Sequence, residues 1–137
     1  MMIREPTVAG TFYPAAPEAC RTSLDACLGA RGADSAVVGR VVGGVVPHAG
    51  WMCSGRVAGA VFSAIAGQAA PDTVVVFGAV HRGQDGQVAA FTEGRWQSPL
   101  GTIDIDQRLA ERVLGNTSLI VADPYAHEAE HSIEVQV

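Results

Sequence analysis

The chain has 137 residues, enough for a single domain. At 48% hydrophobic and 17% charged it reads as globular rather than disordered. With a net charge of -5, no basic run and nine basic residues that are all arginine, it is not expected to bind nucleic acid or an anionic membrane surface, and it has no lysine for a Schiff base or a Walker A loop. No stretch is long and apolar enough to span a bilayer and Met1 to Thr11 lacks a signal-peptide layout, so the expected location is cytoplasmic.

Arg4 to Pro14 reads as an irregular arm. Pro17 suits the first turn of a helix that runs to Leu28 and stops at Gly29, with Cys20, Leu24, Cys27 and Leu28 on one face. Arg31 to Ser35 reads as a loop. Val41 to Pro47 is an apolar, β-like run that ends at His48. Ser54 is placed to cap the next helix, in which Val57, Ala60, Val61, Ala64 and Ile65 keep the i, i+3, i+4, i+7, i+8 spacing. Ala58, Gly59 and Ala60 are small enough to let that helix approach a sheet closely. A second apolar run, Thr73 to Val80, ends at His81. Gln87 to Thr92 and Ser118 to Ala122 read as weaker strands. Between them Leu109, Ala110, Val113 and Leu114 predict a short helix stopped by Gly115 and capped by Asp104 or Asp106. Ser132 to Val137 resembles the start of an amphipathic element and then stops, so the domain is expected to be incomplete. The order predicts one α/β domain over residues 1–137, with helices against a mostly parallel sheet.

Strand, helix, strand from Val41 to Val80 predicts a βαβ unit whose strand ends open into one crevice. His48 and His81 would meet there, where neutral imidazoles can bind iron, zinc or copper. Trp51, Cys53, Ser54 and Arg82 flank the two histidines and are candidate pocket residues. Arg82 could receive an anionic ligand, whereas Cys53 reads as a small buried thiol and Ser54 as a helix cap. Three cysteines without C-x-x-C spacing predict neither a disulfide framework nor a zinc ribbon. Gly78 to Gly83 has the outer spacing of a phosphate loop but is followed by Gln84, so no nucleotide cofactor is expected. His127-Glu128-Ala129-Glu130-His131 satisfies H-E-x-x-H, which makes a zinc peptidase a remote alternative, although the predicted helix start at Ser132 leaves the motif outside a helix. His131 alone could still reach the site of His48 and His81.

Five blocks carry a resemblance: Arg4 to Pro14; Pro47-His48-Ala49-Gly50-Trp51-Met52-Cys53-Ser54-Gly55; Val76 to His81; Trp96 to Gly101; and Glu130-His131-Ser132-Ile133-Glu134-Val135-Gln136. In these blocks the chain resembles the N-terminal half of the Memo family, whose bacterial and archaeal members are called AmmeMemoRadiSam system protein B. The resemblance implies a three-layer α/β/α fold like that of LigB-type (class III) extradiol dioxygenases. It implies that His48 and His81 match two metal-site histidines, with Fe(II) or copper as the cofactor. The family's further site residues, a cysteine in the animal members and another histidine, map to no position here. An incomplete ligand set predicts little dioxygenase turnover by this chain alone. The alternative implied is a non-catalytic binding or scaffold protein that partners radical SAM and AMMECR-type proteins or binds anionic peptides; a small aromatic or anionic molecule is the other ligand expected. An incomplete sheet also predicts association with another copy.

Overall fold

A computed structural model describes residues 1–29, 39–81 and 87–137. The protein is mixed α/β, with helices α1 (Pro17–Leu28), α2 (Trp51–Ala66) and α3 (Gln107–Asn116). Its strands are β1 (Ile3–Arg4), β2 (Val88–Ala90), β3 (Arg95–Ser98), β4 (Gly101–Asp104) and β5 (Ile120–Ala122). They form two small sheets, β1-β3-β4 and β2-β5. β1 pairs parallel with β3, β2 pairs parallel with β5, and β3 and β4 form an antiparallel hairpin.

The predicted helices are present. α1 begins at Pro17 and is closed by Gly29 at φ 65°, a left-handed turn that glycine adopts without strain. α2 starts four residues earlier than expected: Gly50 occupies the cap position, and Ser54 lies one turn inside, donating from Oγ to the Ala49 carbonyl at 2.8 Å. The cap of α3 is Asp106, whose carboxylate accepts from the Leu109 amide at 2.9 Å, and the helix passes through Gly115 to Asn116. Asp104 instead pairs with Arg95 across the hairpin at 2.5 Å. The loop predicted at Arg31 to Ser35 lies outside the described residues.

Neither Val41 to Pro47 nor Thr73 to Val80 forms a strand. A strand exists only through a paired neighbour, and no described residue pairs with either run. Most of their apolar side chains are correspondingly exposed, with Val42 at 91% and Val45 at 95%. The small residues of α2 serve a different neighbour from the one predicted. They approach α1 rather than a sheet: a Cβ on Gly59 would lie 2.1 Å from the Cys27 carbonyl oxygen, and one on Gly55 would lie 2.4 Å from the Cys27 sulfur. Gly59→Ala is therefore expected to push the two helices apart and cost about 1–3 kcal/mol, read by urea unfolding. An unchanged midpoint would contradict this packing.

The core is small and sits under the N-terminal arm, where Tyr13, Cys20 and Val135 are surrounded by Val8, Phe12, Trp51 and Leu100. Beside it, a buried ion pair joins Arg4 to Glu134, 130 residues away. Arg4 also donates to the carbonyls of His127 at 3.1 Å and Glu130 at 2.7 Å, and its guanidinium lies 4.6 Å from the Trp96 ring centre. The Glu134 carboxylate accepts from the Thr7 and Val8 amides and from the Tyr13 hydroxyl. Among the described residues, no helix is long and apolar enough to cross a membrane.

Candidate metal centre

Three chain segments each deliver one imidazole to a single point. His48 follows Pro47 at the entrance to α2, and the Pro47 carbonyl accepts from the Gln136 side-chain amide at 3.1 Å. His81 ends the run from Thr73. That run is held against the C-terminal segment through Ser132 Oγ, which donates to the Ala79 carbonyl at 3.0 Å. Gly78 permits the approach, since a Cβ there would meet the Ser132 hydroxyl at 2.4 Å and Ile133 at 2.6 Å. His131 sits beside Ser132, edge-on to Phe12 at 4.9 Å.

The rings of His48 and His81 are 5.2 Å apart, those of His48 and His131 5.9 Å, and those of His81 and His131 4.3 Å. One ring nitrogen from each histidine lies within 4.8 Å of the others. A tetrahedral zinc site with bonds of about 2.0–2.1 Å holds its nitrogens about 3.3 Å apart, so small ring movements would close this set on an ion. Three neutral imidazoles suit zinc, copper, iron and nickel alike, and the donor set does not choose among them.

Glu130 lies behind the cluster with its side chain only 7% exposed. Burial alone would raise its pKa. The amides of Ser132 and His81 and the His81 ring all donate to it, and they hold the carboxyl down at about 2. Glu134 is held below the ordinary carboxylate range in the same way, with burial opposed by the Thr7 amide and Arg4.

The expected meeting of His48 and His81 is present, although neither adjoining run is a strand. His131, weighed from sequence only as a residue that could reach them, completes the group. Trp51 meets other neighbours, donating from Nε1 to the Val135 carbonyl at 2.9 Å and stacking on Tyr13. Cys53 is exposed rather than buried, because α2 turns Ser54, Gly55, Ala58 and Gly59 inward and leaves Cys53 on the outer face. Ser54 is buried and bonded to backbone, not placed as a nucleophile. Arg82 lies outside the described residues. The H-E-x-x-H reading fails on geometry. His127 sits in a single 3-10 turn, Tyr125–His127, and packs edge-on to Phe91 and Trp96 away from the three-histidine group, where burial favours its neutral form. Sequence reading missed Arg4 and the role of Glu130. Each lies inside a block that carries the family resemblance, but no local signal marks what it contacts.

A mixed α/β protein with a three-histidine group able to hold a metal ion is the class that this fold and site define. Residues 4–137 match the family described as Memo-like protein, and the chain belongs to that family. It is 39% identical to a MEMO1 family protein of Pyrobaculum arsenaticum, covering 100% of this chain and 50% of the relative. Identity is 40% with a MEMO1 family protein of Methanothermobacter thermautotrophicus, covering 99% of this chain and 51% of the relative. With one from Methanosarcina mazei it is 42%, over 100% of this chain and 48% of the relative. The chain thus spans about half the length of the curated relatives it matches.

Proposed function

We propose that His48, His81 and His131 bind iron or copper in a centre of the kind found in class III extradiol dioxygenases, within a fold whose complete form is a three-layer α/β/α sandwich. The convergence of three imidazoles from three separate segments carries this reading. An ion so held supplies Lewis-acid and redox chemistry and can bring a vicinal diol and dioxygen together. The protein's own residues would orient and enclose the reactants: Phe12 packs on His131, and Trp51 begins the helix that follows His48.

Titration of the purified protein with Fe(II), Cu(II) and Zn(II) tests the reading. Binding of one ion per chain is expected. Replacing His48, His81 or His131 with alanine should each weaken it by more than the about 10–100-fold typical of residues that merely support a ligand. No binding, or binding indifferent to all three substitutions, would overturn it.

A second reading, a non-catalytic site for a small aromatic or anionic ligand, is favoured by an open cleft of about 470 Å³ whose lining includes Phe12, the ring edge-on to His131. Phe12, Tyr13, Trp51, Cys53 and Arg56 line it. Its aromatic walls and single arginine suit such a molecule.

A further inference from the structure

Glu130 makes two contacts to one histidine. Its carboxylate accepts from the His81 backbone amide at 2.8 Å and lies 2.9 Å from His81 Nδ1. The Ser132 amide donates at 2.8 Å to Oε1, the same carboxylate oxygen that His81 Nδ1 meets, while the His81 amide takes Oε2. The Glu130 backbone is itself fixed, because its carbonyl accepts from Arg4. Glu130 does not belong to the group of atoms that converge on the candidate ion position. Its distance to His131 Nδ1, 3.8 Å, is too long for a hydrogen bond.

We propose that Glu130 is a positioning residue for the metal centre. It holds the His81 ring through Nδ1–H, so that Nε2 is the free nitrogen presented to the point shared with His48 and His131. This rests on the metal-centre reading above. The physical basis is that a ring nitrogen bonded to a fixed acceptor must carry the proton, which leaves the other nitrogen with its lone pair free for a ligand bond. The carboxylate also fixes the ring about its χ angles and makes the imidazole a more basic donor. An unsupported His81, with its side chain 40% exposed, could turn away from the other two histidines.

The tautomer is measured first, on the metal-free, unsubstituted protein at mildly alkaline pH, from the ¹⁵N shifts of the His81 ring. A proton on Nδ1 is expected, and a ring protonated mainly on Nε2 overturns the proposal. Zinc affinity is then compared in the unsubstituted protein, Glu130→Gln and Glu130→Ala, each first shown to be folded by circular dichroism. Glu130→Gln keeps an acceptor oxygen but loses the charge, and it should weaken binding by about 10-fold while preserving the tautomer. Glu130→Ala should approach about 100-fold and leave the His81 ring as a mixture of tautomers. Equal affinity in all three proteins overturns the proposal. So does complete loss of binding in Glu130→Gln, which would make the carboxylate a ligand rather than a support. If the unsubstituted protein binds no metal, the metal-centre reading fails, and the tautomer measurement still decides whether Glu130 orients His81.

Discussion

Glu134→Ala is expected to cost about 3–5 kcal/mol of folding stability, because it leaves the Arg4 guanidinium buried without its counter-charge. It also strands the amides of Thr7 and Val8 and the Tyr13 hydroxyl, which the carboxylate accepts from. Against a typical stability of about 5–15 kcal/mol, that is about a fifth of the total or more. Arg4→Ala should be comparably damaging, since it removes the cation and also releases the carbonyls of His127 and Glu130. Replacing both residues should cost less than the sum of the two single changes, as expected for two halves of one interaction. Urea unfolding at fixed pH checks this. A loss below about 1 kcal/mol for Glu134→Ala would mean that the pair is not closed in solution.

Acid should unfold the protein in two stages. The first begins near the ordinary histidine pKa of 6.5. There the unfolded chain takes up a proton at His127 while burial keeps the folded imidazole neutral, so the unfolded state gains. The second begins near pH 4.5. Glu130 and Glu134 have folded pKa values below those of the unfolded chain. Their contribution is complete above the unfolded value and is lost as pH falls below it, for Glu130 towards about 2. Glu130 alone supplies on the order of 3 kcal/mol of this dependence. At the alkaline end the sign reverses. Burial and the Glu134 carboxylate raise the Tyr13 pKa, so its contribution holds below about 10 and fades above. Stability measured against pH should show both acid stages, and His127→Phe should abolish the first. A flat profile between pH 7 and 3 would contradict the assignment.

The helices were legible in the sequence because their signals are local. Pro17 and Gly29 bracket α1, and the apolar spacing from Val57 to Ile65 marks α2. The convergence of His48 and His81 was legible too, because both follow apolar runs with a helix between them. The strand assignments failed where they depended on partners: the valines of both runs suit a strand, but no described residue pairs with them. The β3-β4 hairpin was missed because Arg95 to Asp104 has no clean alternation. Its cue was the turn chemistry, Gly94 at φ 89° and Pro99 and Leu100 before Gly101 at φ 138°. Arg4 and Glu130 could not be found from one sequence alone, because their partners lie 130 and 49 positions away and no periodicity records that distance.

The clasp between Arg4 and Glu134 also dictates when the protein can fold. It closes a loop across 130 positions, and such non-local closure must be completed before its contacts stabilise anything. During synthesis at about 5–20 residues per second, the N-terminal arm waits roughly 6–26 seconds for its partner to be made. Throughout that interval Arg4 and Tyr13 lack the carboxylate that both of them meet in the finished protein. Assembly of the core and of the histidine group is therefore a late event, set by the emergence of the segment from Glu130 to Glu134.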